Sequence, residues 1–140
     1  MSEKELAATD PRGKKVLIVD DDENIKDLVS LLVKVAGFKM ITASTGEEAI
    51  GLLAQKPDAL ILDLIMPGCG GLGVLKHLKT QPAPLPPVIV ITAYENRHPS
   101  VQEAVMDPNV VQCLAKPLNH ELLIEALHRY MKTEPLESKN

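Results

Sequence analysis

Aromatic residues are scarce in this chain, which has no tryptophan and only Phe38, Tyr94 and Tyr130 among its 140 residues. Leucine, isoleucine, valine and alanine must therefore build any hydrophobic core. Cysteine is equally rare, since Cys69 and Cys113 are the only two. Two cysteines are too few for a disulfide framework, and no CxxC or paired histidine accompanies them as a zinc site requires. The composition excludes a small domain stabilised by disulfides or zinc.

The chain also lacks an excess of basic charge. Its 15 lysines and arginines are outnumbered by 19 aspartates and glutamates, giving a formal net charge of −4. A nucleic-acid-binding surface would normally show a basic face, so we expect no direct nucleic-acid contact by this segment. No apolar run reaches the length of a membrane span, and residues 1–15 show no signal-peptide core. We therefore expect a cytoplasmic protein without a membrane anchor.

Apolar residues make up 45% of the chain, which is enough for the core of one domain. We expect residues 14–132 to form this domain, with residues 1–13 as a flexible lead-in and residues 133–140 as a polar tail or the stump of a linker. Five short apolar runs alternate with segments of helical periodicity. Because the runs show no polar alternation, they are typical of strands buried on both faces. The order predicts an α/β fold, a doubly wound parallel sheet with helices on both faces.

Polar side chains follow each apolar run at the point where the predicted strand ends. They are Asp20-Asp21-Asp22, Ser44-Thr45, Asp63, Thr92 and Lys116. The carboxyl ends of parallel strands share one edge of a sheet, so we expect these side chains to lie close together. Clustered carboxylates repel one another, and a hard divalent cation such as Mg²⁺ relieves that repulsion. Asp20, Asp21 and Asp63 are therefore candidate metal ligands.

Taken in order, these motifs resemble the receiver domain of two-component response regulators. The resemblance spans Lys15 to about Met131. It rests on Val19-Asp20-Asp21, Asp63 with Met66-Pro67-Gly68 behind it, Thr92-Ala93, and Lys116-Pro117. It implies a flavodoxin-like five-stranded sheet with the strand order 2-1-3-4-5.

The resemblance also implies a metal site and its ligands. Asp21 and Asp63 would bind Mg²⁺ directly, and Asp20 would act largely through water. Ile65 would contribute its backbone carbonyl, which is why an apolar side chain suffices there.

The same resemblance implies a phosphorylation reaction. Asp63 would be the phosphoacceptor, and Thr92 and Lys116 would neutralise the phosphoryl oxygens. The donor would be a phosphohistidine on a sensor histidine kinase or a phosphotransfer protein. The chain would be a signalling domain, not an enzyme, although it assists its own phosphorylation and dephosphorylation. Its output would pass to an output domain, to a downstream protein or through a phosphorylation-linked dimer.

Two positions depart from the family pattern. The turn after the Met-Pro pair usually carries an acidic residue before glycine, but here Gly70 precedes Gly71. This removes a side-chain N-cap from the third helix. Cys113 stands where the family commonly has an aromatic ring that turns inward on activation. We therefore expect switching through Thr92 and backbone rearrangement, without an aromatic rotamer.

Two other classes of protein remain as alternatives. A magnesium-dependent aspartyl-phosphate phosphatase of the haloacid-dehalogenase kind also uses a strand-end aspartate, but it needs a second aspartate where this chain has Ile65. A flavodoxin-like cofactor carrier would open its first strand into a loop rich in serine, threonine and glycine. Residues 20–23 are acidic instead and would repel the phosphate of FMN.

Overall fold

The structure is a computed structural model that describes residues 6–136. Within this range, five parallel strands form one sheet with the order β2-β1-β3-β4-β5, and five α-helices pack around it. The strands are β1 (Lys15–Val19), β2 (Lys39–Ala43), β3 (Ala59–Asp63), β4 (Val88–Thr92) and β5 (Val110–Ala115). The helices are α1 (Glu23–Val35), α2 (Gly46–Leu52), α3 (Gly70–Leu78), α4 (Pro99–Val105) and α5 (His120–Met131). The predicted fold class and strand order are confirmed.

The sheet separates two layers of hydrophobic packing. On one face, Ile18 and Ile61 belong to a cluster that includes Val29 of α1 and Leu127 of α5. On the other face, strand residues pack with side chains of α2, α3 and α4, such as Ala49, Val74 and Ala104. Helices therefore cover both faces, as a doubly wound sheet requires.

Burial differs between the central and the edge strands. All residues of β3 and β4 are buried, whereas β2 and β5 are mostly half-buried. An edge strand has a neighbour on one side only, so its apolar run is less completely covered. The expectation of burial on both faces is therefore correct for the centre of the sheet and only partly correct for its edges.

Side-chain caps begin four of the five described α-helices, and α1 and α2 are examples. Asp22 accepts hydrogen bonds from the backbone N–H groups of Asn24 and Ile25, and Thr45 accepts one from Glu48. Such caps satisfy N–H groups that have no partner within the helix. Because Asp22 is used as a cap, the chain turns into α1 directly after the strand-end aspartates.

The segments that flank the domain make contacts within the described residues. Pro11–Gly13 forms a 3₁₀ turn, and the Glu134 N–H donates to the Thr9 carbonyl oxygen at 2.8 Å. Parts of the predicted lead-in and tail thus lie against each other. Residues 1–5 and 137–140 lie outside the described residues, and the domain boundaries stay predictions.

Two helical glycines provide a matched test of the packing around β3. A Cβ at Gly71 would lie 2.7 Å from the Asp63 carbonyl oxygen and 2.8 Å from the Leu64 Cα. A Cβ at Gly51, on the exposed side of α2, would meet no heavy atom of the described residues within 4 Å.

We expect Gly71→Ala to lower the free energy of unfolding by about 2 kcal/mol, because backbone atoms cannot move aside easily. Gly51→Ala should instead raise it by about 0.5–1 kcal/mol, since alanine is the better helix former. Urea denaturation of the two variants measures both effects. A loss of similar size in both would contradict the packing described here.

Candidate functional site

The register of the sheet brings the predicted carboxylates together. Val19 pairs with Leu62, so the next residues, Asp20 just after β1 and Asp63 at the end of β3, lie at the same level. One carboxylate oxygen from each of Asp20, Asp21 and Asp63 lies within 4.8 Å of the others. Asp20 and Asp63 are only 0% and 3% exposed, whereas Asp21 is exposed. The cluster is therefore buried at its base and open to solvent beside Asp21.

Lys116 provides the positive charge next to this cluster. Its Nζ lies 3.2 Å from Asp20 Oδ2 and 3.5 Å from Asp63 Oδ2. Lys116 follows β5, and its backbone N–H donates to the Thr92 carbonyl oxygen at 2.9 Å. Because β4 separates β5 from β3, the long lysine side chain spans the end of β4 to reach both carboxylates.

The charges shift the protonation equilibria of the site. Burial, followed by repulsion from Asp20, raises the pKa of Asp63 to about 7, although Lys116 opposes this shift. Burial alone would lower the pKa of Lys116, but Asp63 and Asp20 outweigh burial and raise that pKa above its ordinary value. One ammonium group therefore does not fully compensate the two buried carboxylates.

The oxygen atoms of the cluster suit a hard divalent cation. Asp20 Oδ1 accepts the Asp22 N–H at 2.9 Å, and Asp63 Oδ1 accepts the Ile65 N–H at 3.2 Å. Asp20 Oδ2 is buried and accepts no hydrogen bond from the described residues, although Lys116 lies nearby. A buried oxygen in this state is costly unless a water or an ion satisfies it. Carboxylate oxygens are also the ligands that Mg²⁺ prefers, so the residues present fit that ion.

Thr92 is the last residue of β4, and β4 pairs with β3, the strand that ends at Asp63. The Thr92 side chain is buried. Its Oγ1 accepts the Tyr94 N–H at 3.0 Å, which leaves the hydroxyl hydrogen available for another acceptor. The Tyr94 ring stacks on His98 with the ring centroids 3.7 Å apart. Thr92 is thus hydrogen-bonded to the β4–α4 loop, in which the Tyr94 and His98 rings stack on each other.

Sequence reasoning missed a contact made by Glu47. Its Oε1 accepts the backbone N–H of Cys69 at 2.8 Å, across a sequence separation of 22 residues. It also missed that Lys26 is buried and bonds to Glu23 and Ser44. The Glu47–Cys69 and Lys26–Ser44 contacts arise from the packing of separate elements, so no local spacing in the sequence indicates them. The Glu23–Lys26 pair, by contrast, has the i,i+3 spacing of neighbours on one helix.

A cavity of about 400 Å³ lies at the opposite end of the sheet, where it is lined by apolar side chains such as Leu53, Leu78 and Leu85. None of its lining residues belongs to the predicted site. The acidic edge is therefore the candidate site because of its chemistry.

Residues 16–128 match the family model described as the response regulator receiver domain. The chain belongs to this family. It is 34% identical over 128 residues to an NtrX-like response regulator of Rickettsia bellii, covering 89% of this chain and 26% of that protein. It is 35% identical over 86 residues to the response regulator SaeR of Staphylococcus aureus strain USA300, covering 61% and 37% respectively. The chain spans well under half the length of both relatives.

Solved receiver structures share the fold. The signal receiver domain of a Luxo repressor protein from Vibrio parahaemolyticus superimposes with a TM-score of 0.76 and 27% identity, covering 85% of this chain and 90% of that one. The resemblance inferred from the motifs is therefore confirmed at the level of the family and the fold. This assignment favours a signalling domain over the phosphatase and the flavin carrier. Among the described residues, no helix combines the length and the hydrophobicity needed to cross a membrane.

The raised pKa of Asp63 predicts a pH-dependent stability in protein free of divalent cations. A carboxyl whose pKa rises from 3.8 to about 7 on folding stabilises the fold while it is protonated, so stability declines as the pH rises through this window. Between about pH 5.5 and about pH 8, Asp63 should cost the fold about 2 kcal/mol. In Asp63→Asn this part of the pH dependence of the free energy of unfolding should be absent.

Urea denaturation of the wild type and of Asp63→Asn, in chelator at the two pH values, measures how much the free energy of unfolding changes with pH in each protein. Subtracting the change measured for the variant from that of the wild type removes the contributions of histidines that titrate in the same range. Identical pH dependence in wild type and Asp63→Asn would show that Asp63 does not bear the shift.

Proposed function

We propose that this receiver domain takes a phosphoryl group onto Asp63 from a phosphohistidine of a sensor histidine kinase or a phosphotransfer protein. The observation that supports this best is the buried Asp63 carboxylate, which lies 3.5 Å from the Lys116 ammonium and beside the Asp20 and Asp21 carboxylates. A bond forms between an Asp63 oxygen and phosphorus while the phosphorus–nitrogen bond of the donor breaks. The electron pair stays on the imidazole nitrogen, which then takes a proton.

Two residues would stabilise the transferring group. Lys116 already faces Asp63 and would neutralise one phosphoryl oxygen, and the Thr92 hydroxyl would donate to another. Both groups sit on strand ends that the buried sheet fixes, so little reorganisation is needed during transfer.

Asp20, Asp21 and Asp63 would hold Mg²⁺, with the Ile65 carbonyl as a further ligand. When bound, Mg²⁺ supplies positive charge that offsets the carboxylates and the incoming phosphoryl oxygens. The same carboxylates that repel one another in the metal-free protein then become ligands, so cation binding and phosphorylation draw on one set of side chains.

The partners follow from this chemistry. The kinase or phosphotransfer protein would act in the cytoplasm. Phosphorylation would change the surface formed by α4, β5 and α5. That surface would then act on an output domain or a downstream protein, or join two phosphorylated copies in a dimer.

We expect Asp63 to be the sole phosphorylation site and the reaction to require Mg²⁺. Incubation with a small acyl-phosphate donor and Mg²⁺ should add one phosphoryl group, detected by intact-mass measurement. Asp63→Asn should remain unmodified because it lacks the nucleophile, and excess chelator should abolish modification of the wild type. Asp27→Asn, which removes an exposed carboxylate on α1, is the control and should react normally. Modification of Asp63→Asn would overturn the assignment.

We also expect a comparatively long-lived phosphoaspartate. Ile65 and Tyr94 both pack against the apolar cluster beside the site, and each is bonded through its N–H to a site residue, Asp63 or Thr92. An apolar side chain and an aromatic ring at these positions should hinder the in-line approach of water. Ile65→Asn and Tyr94→Ala should therefore speed hydrolysis by roughly three- to tenfold.

The decay of phosphorylated protein after donor removal measures this effect. Tyr94→Phe is the matched control because it keeps the ring and loses only the hydroxyl group, and its decay should equal that of the wild type. Unchanged decay in both Ile65→Asn and Tyr94→Ala would contradict the proposed hindrance.

A further inference from the structure

The loop between β3 and α3 lacks a side-chain cap where α3 begins. Cys69 occupies the N-cap position, and its side chain makes no capping hydrogen bond to the described residues. The backbone on either side is left-handed, with φ of 76° at Gly68 and 65° at Gly70. Within the loop, the Cys69 thiol donates a long, weak hydrogen bond to the Gly70 carbonyl oxygen at 3.7 Å. Contacts from outside the loop can therefore add to its stability.

Glu47 of α2 provides that support. Its Oε1 accepts the Cys69 N–H at 2.8 Å. Both carboxylate oxygens also pack over Gly68, where a Cβ would lie 2.6 and 2.7 Å from them. The hydrogen bond from the Cys69 backbone lowers the pKa of Glu47 below its ordinary value, so the carboxylate is charged at neutral pH.

The neighbouring residue of α2 touches the same loop. A Cβ at Gly46 would collide with Cys69 Sγ and would lie 3.0 Å from the Gly70 carbonyl oxygen. The start of α2 and residues 68–70 therefore fit together with no space for an additional atom, and the Glu47 hydrogen bond is made within this close contact.

The loop that Glu47 supports leads directly to the acidic cluster. At its beginning, the Ile65 N–H donates to Asp63 Oδ1 at 3.2 Å. At its end, the Gly71 N–H donates to the Leu64 carbonyl oxygen at 3.2 Å. A displacement of Cys69 would therefore be transmitted through only a few residues to Ile65.

We propose that Glu47 is a positioning residue for divalent-cation binding, fixing the β3–α3 loop so that the Ile65 carbonyl faces the carboxylate cluster. It gives the loop a carboxylate acceptor from a separate helix. This inference rests on the proposed function, since the cation belongs to it. Glu47 itself is exposed and is not one of the clustered carboxylates.

The first test uses metal-free protein and concerns the loop alone. Glu47→Ala should speed amide hydrogen exchange at Cys69 by about tenfold, because the N–H loses its acceptor. Glu47→Gln keeps an acceptor oxygen and should restore slow exchange. Glu48→Ala is the matched control, since it removes a neighbouring exposed carboxylate in the same helical turn. Unchanged exchange in Glu47→Ala would refute the support of the loop.

The second test concerns the cation. Titration with Mg²⁺, followed by amide chemical shifts at the acidic edge, should give an apparent Kd about tenfold higher for Glu47→Ala. Glu47→Gln and Glu48→Ala should match the wild type. The phosphorylation rate of Glu47→Ala should recover at saturating Mg²⁺, which a general loss of folding would not allow.

The outcomes separate the two proposals. If the wild type itself binds no Mg²⁺, the proposed function fails. If the wild type binds Mg²⁺ and Glu47→Ala binds it equally well, the positioning role is wrong while the proposed function stands.

Discussion

Two carboxylates buried side by side, Asp20 and Asp63, are the constraint on which the rest of the site depends. Each has been removed from water, and their charges repel one another at the ends of adjacent strands. Lys116 compensates with one positive charge at 3.2 and 3.5 Å, which leaves the pKa of Asp63 raised to about 7. The carboxylates at this edge of the sheet exceed the positive charge beside them, and such an excess of negative charge attracts cations. The proposed affinity for a metal ion would thus be a consequence of the electrostatic cost of burying these two carboxylates.

The sheet tolerates this cost because its centre is strongly stabilised. Residues 16–19 and the whole of β3 and β4 are buried, and clusters on both faces of the sheet add apolar burial. Burial of each large aliphatic side chain contributes about 1.5–3 kcal/mol, so several such residues offset one unfavourable carboxylate. The same parallel pairing that buries the strands also brings their carboxyl ends to one level. Stability and site geometry therefore have a common origin.

The sequence allowed prediction of features that depend on neighbours along the chain. Strands appear as apolar runs, and the cap by Asp22 follows from residue type and position. The acidic cluster could also be predicted, because its members lie at or just after the ends of strands and parallel topology gathers strand ends. The Glu47–Cys69 hydrogen bond could not, since it depends on how α2 packs against α3. The burial of Lys26 could not be predicted either, because a lysine on a helix is usually solvated.

The β4–α4 loop shows how a switch without an aromatic rotamer would transmit a change. Cys113 is small, so it cannot sweep the volume of a ring, but Tyr94 is linked to Thr92 by the hydrogen bond to Oγ1. If Thr92 shifts toward a phosphoryl group, as proposed, that bond must lengthen or draw the Tyr94 backbone along. Tyr94 stacks on His98, whose Nδ1 accepts the Ser100 N–H at the start of α4. A movement of one hydroxyl would therefore reach α4 through consecutive contacts of the loop itself.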